Sequence, residues 1–227
     1  MFECRHGIGY TEFVTSFAGI EARWTLFAHP QETIELWLVR LKNTGSAPRT
    51  LDLTAYLEWC CGVTPAPRRE FHKLFIETEF DAKRSAVFGW NRMWDIGNKR
   101  WGHWNTDFPY VSGFGTTETI ESAEGEKSEF LGRNGSLRDP EALSRREWKG
   151  LFGKHYDPVA AMRSTVTLSP QAERTIGFAL AVDGSRPGAE SLLEKWLDVQ
   201  AMSRALEQSK QSWIERLADH RIETPDK

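Results

Sequence analysis

The chain has 227 residues, of which 29 are basic and 32 acidic, giving a formal net charge of −3. This balance supplies no positive field for nucleic acid or an anionic membrane, and 40% hydrophobic with 27% charged residues is typical of a folded globular protein. No apolar run approaches the roughly 20 residues that span a bilayer, and the amino end lacks the apolar core of a signal peptide. Cys4, Cys60 and Cys61 form no disulfide framework and no zinc pattern. We therefore expect a cytoplasmic protein with no metal, no cofactor and no nucleic-acid or membrane partner.

Period-two alternation predicts strands over the first two-thirds of the chain. Thr33–Leu41 is apolar at nearly every position, which indicates a central strand covered on both faces. The turn residues Asn43-Thr44-Gly45 would lead by a hairpin into the alternating strand Leu51–Trp59.

Three further pairs of neighbouring strands are predicted by the same pattern. The last pair places Ile176, Phe178, Leu180 and Val182 on one face. Many strands followed by helix, without the interleaved helices of a βαβ fold, predict a mainly β antiparallel sandwich with a C-terminal helical extension. The pairs are Glu12–Phe17 with Gly19–Ala28, Lys73–Phe80 with Ala86–Trp90, and Arg163–Leu168 with Arg174–Val182 through Ser169-Pro170.

Two long stretches, 91–110 and 132–157, do not fit a strand pattern, and loops of this length are often functional. The second contains one short helix candidate running toward Trp148, with Asp139 as N-cap and Pro140 at the first helical position. From Gly188 onward the spacing becomes helical and predicts one or two amphipathic helices whose apolar seam needs a partner surface. The seam residues are Leu192, Trp196, Val199, Leu206, Trp213 and Leu217.

A cluster of tryptophans opens the first of these stretches, with polar and charged residues between the rings. An indole can cover the apolar face of a sugar while neighbouring polar groups bind its hydroxyls. The alternative is that the rings pack over a sheet or an adjoining domain, because aromatic residues dominate cores and interfaces. The residues predicted to contact carbohydrate or an interface are Trp90, Trp94, Asp95, Arg100, Trp101, His103, Trp104 and Asp107.

Three carboxylates are candidates for a catalytic pair. Glu77, Glu79 and Asp81 share one strand face, and inverting glycosidases hold two carboxyl groups roughly 6.5–9.5 Å apart. A solvated strand face is the better interpretation, and the isolated Asp95, Asp107 and Asp157 are no stronger candidates. His6 beside Gly7 is expected to be structural. The sequence itself offers no catalytic constellation and no metal site.

One segment near the amino end has a distinctive sequence, Phe2-Glu3-Cys4-Arg5-His6-Gly7-Ile8-Gly9-Tyr10-Thr11. It resembles a segment of the glycoside hydrolase family 94 phosphorylases, formerly glycosyltransferase family 36, such as cellobiose phosphorylase and the phosphorylase-like region of cyclic β-1,2-glucan synthase. Further matches follow in the same order along nearly the whole chain. They are Glu35-Leu36-Trp37 through Lys42-Asn43-Thr44, Tyr56 through Cys60, Phe130-Leu131-Gly132, Asp157-Pro158, Leu168–Phe178, Trp213 and Thr224-Pro225-Asp226.

The resemblance implies a supersandwich, galactose-mutarotase-like domain over residues 1–186 and a helical linker over 187–227, leading toward an (α/α)₆ barrel that this chain lacks. In that family the catalytic residues lie in the barrel, so none is carried over, and the match from residue 2 suggests a sandwich short of its first strands. The family reaction is inverting phosphorolysis of a β-glucoside without a metal. The implied partners are a β-glucoside or oligosaccharide, and a second copy or a barrel-bearing chain.

Three hypotheses follow. The leading one is a non-catalytic sandwich module that supplies scaffold, dimer contact and carbohydrate contact. The alternatives are a protein-interaction module without sugar contact, and a fragment with residual glycosyl-transfer activity at the Glu77, Glu79 and Asp81 face. Missing strands would expose an unpaired sheet edge, so we also expect the isolated chain to associate.

Overall fold

The computed structural model describes residues 2–62, 72–91 and 108–220, and in these ranges β-strands dominate. The strands are β1 (Phe2–Gly7), β2 (Tyr10–Phe17), β3 (Ile20–Ala28), β4 (Ile34–Asn43), β5 (Arg49–Glu58), β6 (Ile76–Asp81), β7 (Ala86–Asn91), β8 (Val111–Thr116), β9 (Ser122–Glu126), β10 (Gly153–Lys154), β11 (Pro158–Leu168) and β12 (Glu173–Asp183). The helices are α1 (Lys127–Leu131), α2 (Arg186–Trp196) and α3 (Val199–Arg216). Short 3₁₀ turns lie at His72–Phe75, Glu141–Ser144 and Ala218–His220.

The strands form two antiparallel sheets. The larger has the order β1-β2-β3-β4-β12-β8-β7-β6-β10, and the smaller has the order β5-β11-β9. The predicted antiparallel sandwich with C-terminal helices is confirmed, as are the predicted neighbours β2 with β3 and β6 with β7. The large sheet therefore has two covered faces, one packed against the small sheet and one against the helices.

β4 shows how one strand serves both cores. Leu36 and Leu38 point into the cluster under the helices, whereas Trp37, Val39 and Leu41 belong to the cluster between the sheets. Its neighbours are β3 on one side and β12 on the other. The prediction of a central strand covered on both faces is confirmed.

Two predicted hairpins are wrong, because both connections cross between the sheets. β4 pairs with β3 and β12 but β5 pairs with β11, so the turn after Asn43 does not return alongside β4. The same holds for β11 and β12 across Ser169-Pro170. These strands turn apolar residues toward each other across the inter-sheet core, which a flat hairpin could not do.

Asn43 locks the two crossings together. Its side chain is fully buried, and Nδ2 donates to the carbonyl oxygens of Ala47 (2.8 Å), Leu168 (3.2 Å) and Ser169 (3.2 Å). Because a buried amide must find partners, this side chain can lie only where both crossings supply carbonyl groups. Asn43 is thus a sheet-crossing residue rather than a hairpin-turn residue.

The helices lie on a strip of small residues in the large sheet. A Cβ placed on Gly113 would lie 3.0 Å from Leu193 Cδ1, and one on Gly177 would lie 2.6 Å from Met202 Sδ. Ala179 and Ala181 complete the strip beneath the same cluster. The absence of side chains there lets the helices approach the sheet backbone, which supplies the partner surface expected for their apolar seam.

The seam prediction holds for most of its members and fails at the carboxyl end. Trp196 and Leu206 are buried and Leu192 and Val199 pack against the same cluster, but Trp213 and Leu217 keep 36% and 39% of their surface exposed. The N-caps are Ser185 and Asp198, whose side chains accept from Gly188 N and Ala201 N. The proposed boundary between 1–186 and 187–227 stays a prediction.

Hydrogen bonds hold the end of α2 to the loop after β3. Glu32 accepts from Lys195 Nζ at 2.5 Å and from Trp196 Nε1 at 2.8 Å. His29 Nδ1 lies 3.1 Å from the backbone N of Glu32, and its ring centroid is 4.7 Å from that of Trp196. An imidazole that accepts an N–H bond is neutral at that nitrogen, and burial lowers the pKa of His29.

The predicted helix between Asp139 and Trp148 is wrong. Only a four-residue 3₁₀ turn forms, Pro140 occupies the N-cap position, and the segment ends at Arg145. The guanidinium of the buried Arg163 donates hydrogen bonds to the carbonyl oxygens of Arg145 (2.9 Å) and Arg146. These bonds hold the backbone there extended. A tertiary contact has overridden the local helix signal.

Candidate functional site

The tryptophan-rich segment is only partly described. Trp90, at the end of β7, is half-buried and packs against the cluster under the helices, as an aromatic core residue would. The other seven predicted contact residues lie outside the described residues, namely Trp94, Asp95, Arg100, Trp101, His103, Trp104 and Asp107. Sugar contact by this segment stays a prediction, and Trp90 itself favours the packing alternative.

The carboxylate face on β6 is tied to arginines. Glu79 accepts from both Nη atoms of Arg186, each at 3.2 Å. Asp81 accepts from Arg84 Nη1 at 2.9 Å and lies 3.7 Å from Arg186 Nη2. Partial burial would raise the pKa of the Asp81 carboxyl, but the Arg84 hydrogen bonds and charge hold it below its usual value. Glu79 and Asp81 therefore anchor the start of α2 to β6, and its lowered pKa leaves Asp81 without a proton to donate near neutral pH.

A second polar cluster, here called the Glu58–Asp157 cluster, lies where β5 ends and β11 begins. It consists of Glu58, Lys73, Lys127, Asp157 and Tyr56. Lys127 Nζ is 2.7 Å from Glu58 and 3.6 Å from Asp157, and Lys73 Nζ is 2.5 Å from Asp157 and 3.4 Å from Glu58. Tyr56 donates its hydroxyl to Glu58 at 3.0 Å. Two cations thus bridge two carboxylates.

The contacts within the Glu58–Asp157 cluster shift the pKa values of three of its members. Burial would raise the pKa of Glu58, but bonds from Lys127 and Tyr56 lower it overall, while the bond to Glu58 raises the pKa of Lys127. Burial raises the pKa of Tyr56 further above its usual range. Tyr56, Glu58 and Lys127 are therefore not poised for proton transfer near neutrality. In the sequence Asp157 is an isolated candidate, and no pattern reveals the cluster, because its members come from four separate elements.

Buried carboxylates also organise the 132–157 segment. Glu124 is 1% exposed and its oxygens accept four backbone N–H bonds, from Gly125, Glu126, Gly150 and Leu151, at 3.0–3.1 Å. Glu126 accepts from Asp157 N at 3.3 Å. Sequence reasoning missed β9 and both glutamates, since Ser122–Glu126 carries no strand pattern. Their role is to bind backbone.

The Phe2–Thr11 segment forms a hairpin whose glycines are explained by packing. A Cβ on Gly7 would lie 2.1 Å from the Tyr10 ring, and one on Gly9, which has φ +80°, would lie 2.3 Å from Trp213 Cδ1. Lys210 Nζ lies 4.9 Å from the Tyr10 ring centroid. His6 Nδ1 is 3.1 Å from Thr11 Oγ1 on the exposed surface. The segment clamps the end of α3, and the structural interpretation of His6 fits this geometry.

The outer strands carry a groove of about 300 Å³ on the helix side of the large sheet. Two arginines of its lining form ion pairs: Arg23 lies 3.1 Å from Glu12, and Arg40 lies 2.5 Å from Glu173. Within residues 2–62, 72–91 and 108–220, no three His, Cys, Asp or Glu side chains gather as metal ligands. No helix in the same ranges is long and apolar enough to cross a membrane.

Comparisons with known proteins place the chain among carbohydrate-active proteins. Residues 1–199 match the family model described as "Glycosyl hydrolase 94, supersandwich domain". The chain is 26% identical to an N,N'-diacetylchitobiose phosphorylase of Vibrio proteolyticus, over 99% of this chain and 27% of that protein. It is also 26% identical to the cyclic beta-(1,2)-glucan synthase NdvB of Rhizobium meliloti (strain 1021), over 100% of this chain and 8% of that protein.

A solved structure supports the fold alone. A bacterial glucoamylase complexed with acarbose superposes with a TM-score of 0.56 at 7% identity, over 96% of this chain and 28% of that one. The chain spans about a quarter of the first of these relatives, so the comparisons concern a domain and not a whole enzyme.

Proposed function

Since the chain belongs to the glycosyl hydrolase 94 supersandwich-domain family, we propose that it is the non-catalytic scaffold of a phosphorylase-type protein acting on a β-glucoside. Its own tasks are to position neighbouring elements, to contact a second subunit and to contact carbohydrate at the tryptophan-rich segment. The relatives named as phosphorylases and as a glucan synthase support the substrate class.

The observation that carries the non-catalytic assignment is the state of the carboxylates. Glu79 and Asp81 are bound by arginines, Glu58 and Asp157 by lysines, and Glu124 by backbone amides. A general acid for glycosidic chemistry needs a carboxyl that stays protonated near neutral pH. All five carboxylates are instead occupied by donors, and these donors lower the pKa values of Asp81 and Glu58, which suits a structural role.

The carbohydrate contact is tested by titrating the chain with N,N'-diacetylchitobiose, cellobiose and β-1,2-glucan oligosaccharides while following intrinsic tryptophan fluorescence. We expect saturable quenching that is lost in the double variant Trp101→Ala/Trp104→Ala. Trp213→Phe is the matched control, since it removes an indole that packs at Gly9 and should leave the binding curve unchanged. No response to any of the sugars would refute the carbohydrate contact and leave the scaffold role standing.

The non-catalytic role is tested by measuring phosphate release from a sugar 1-phosphate in the presence of a glucose or N-acetylglucosamine acceptor. We expect no turnover above the background of buffer. Turnover that disappears in Glu77→Gln or Glu79→Gln would show that the β6 face is catalytic and would overturn this proposal.

A further inference from the structure

The loop between β3 and β4, residues 29–33, contacts the end of α2 through a histidine and a glutamate. His29 Nδ1 accepts the backbone N–H groups of Gln31 at 3.2 Å and Glu32 at 3.1 Å. The centroid of the same ring lies 4.7 Å from that of Trp196, the last residue of α2. One imidazole therefore fixes the course of the loop and contacts the helix at the same time.

Glu32 makes the second link between this loop and α2. Its carboxylate accepts from Lys195 Nζ at 2.5 Å and from Trp196 Nε1 at 2.8 Å. Trp196 is only 8% exposed, so its indole N–H depends on this acceptor rather than on water. The position of Glu32 follows from the turn that His29 holds, because the backbone N–H of Glu32 is one of the two donors to the ring.

These contacts require a neutral His29. Nδ1 accepts the two N–H groups through its lone pair, so the proton of the neutral ring must lie on Nε2. Protonation places a second hydrogen on Nδ1, where it faces the N–H groups of Gln31 and Glu32. Both hydrogen bonds are then lost in a single step, and two attractive contacts become repulsive.

Two charged groups face the imidazole and act in opposite directions. The Glu32 carboxylate, from the same loop, favours the protonated ring, and the Lys195 ammonium, from α2, disfavours it. Burial has the largest influence and holds the pKa of His29 below its usual value. A ring released to water regains a pKa of ~6.5, so a falling pH favours the form in which the ring has left its site.

We propose that protonation of His29 releases the end of α2 from loop 29–33 while the rest of the domain stays folded. Nδ1 takes up one proton from solvent, and the bonds from the Gln31 and Glu32 amides are lost. The Glu32 carboxylate then withdraws from Trp196 Nε1, which becomes accessible to water. The helix-covered side of the large sheet thereby responds to pH, a property that neither a scaffold nor a sugar contact requires.

The release is local because the start of α2 and the end of the loop have supports that do not involve the imidazole. Arg186 bonds to Glu79 and lies 3.7 Å from Asp81. The pKa of Asp81 is lowered, so this carboxylate stays ionised in the pH range in which His29 becomes protonated. At the end of the loop, the carbonyl oxygen of Thr33 accepts from the backbone N of Val182 at 2.9 Å. Opening is thus confined to residues 30–32 and the last turn of α2.

NMR of the full chain between pH 7.5 and 5.5 tests the release. The indole N–H resonance of Trp196, assigned through Trp196→Phe, should shift as the pH falls. The amides of Gln31 and Glu32 should exchange about 10-fold faster relative to their intrinsic rates, because protonation one pH unit below ~6.5 favours the open form about tenfold. In His29→Asn the side-chain oxygen can accept the same N–H groups without titrating, so the response should disappear. His155→Asn, which replaces the histidine after β10 at the far end of the large sheet, should retain it.

A second variant imitates the released state at pH 7.5. Glu32→Ala removes the acceptor of the Trp196 indole, so its N–H should exchange with water as fast as in the parent at pH 5.5. An indole that stays protected in Glu32→Ala, or a response of equal size in the parent and His29→Asn, would overturn the proposal. Equal loss of protection at the amides of Gly188 and Ala189, in the first turn of α2, would show that acid unfolds the domain as a whole and would refute a local release.

Discussion

Replacing Glu124 should loosen the 132–157 segment more than any surface substitution. The carboxylate is 1% exposed, and its two oxygens receive the N–H groups of Gly125, Glu126, Gly150 and Leu151. Two of these donors belong to its own strand and two to a segment 26 and 27 residues later in the chain. Glu124→Ala removes a carboxylate that accepts from both groups and leaves the backbone bond from Gly125 N to Leu151 O, at 3.0 Å, to join them.

The size of the effect follows from these bonds. A hydrogen bond to a charged group contributes about 1.5–3 kcal/mol, and leaving a buried donor without a partner costs about 1–3 kcal/mol. Removing the carboxylate also removes the cost of burying its charge. We therefore expect Glu124→Ala to lower the free energy of unfolding by about 2–4 kcal/mol. Glu124→Gln, which keeps the volume and one acceptor oxygen, should lose about half as much.

Urea unfolding followed by tryptophan fluorescence measures this loss, with the exposed Glu147→Ala as the matched control. Hydrogen exchange should also show faster exchange of the Gly150 and Leu151 amides in the Glu124 variants. If Glu124→Ala shifts the midpoint no further than Glu147→Ala, the carboxylate does not hold the segment and the argument is wrong.

Two further predictions concern the docking of the helices. Gly9→Ala should lower the free energy of unfolding by about 1–3 kcal/mol, because the φ of +80° is strained for alanine and the nearby Trp213 ring leaves no room for a Cβ. Gly184→Ala is the control: no heavy atom lies within 4 Å of a Cβ there, so it should have little effect in the same urea experiment. Burial lowers the pKa of His29 in the folded protein. Its contribution to the free energy of unfolding is therefore fully present above the pKa of ~6.5 that histidine has in the unfolded chain, and it is lost as the pH falls. The difference in Tm between the parent and His29→Asn, which disturbs the contact with Trp196, should therefore narrow from pH 7.5 to 5.5, and a difference that stays constant would contradict it.

The sequence predicts strands better than their partners. Alternation along Leu51–Trp59 located β5 correctly, because period two reports which residues face a core. It does not report which strand lies alongside, and the turn residues after Asn43 fit a hairpin and a sheet crossing equally well. The crossing is decided by the carbonyl groups of Leu168 and Ser169, which meet Asn43 from more than 120 positions away.

The polar sites show the same limit more sharply. Glu77, Glu79 and Asp81 are recognisable as one face from their spacing, but Arg186, which pairs with Glu79 and Asp81, lies more than 100 residues downstream. Spacing can place carboxylates on one strand face, but the arginine that binds them comes from another element. A carboxylate pair identified from a strand pattern is therefore a candidate until its cationic neighbours are known.

The hairpin at Phe2–Thr11 carries the segment that most resembles the family, and its glycines are explained by packing. A Cβ on Gly7 would clash with the Tyr10 ring, and one on Gly9 would clash with the Trp213 ring of α3, so both glycines of the matching segment are explained by close packing. The segment thus helps to fix the end of α3 to the large sheet.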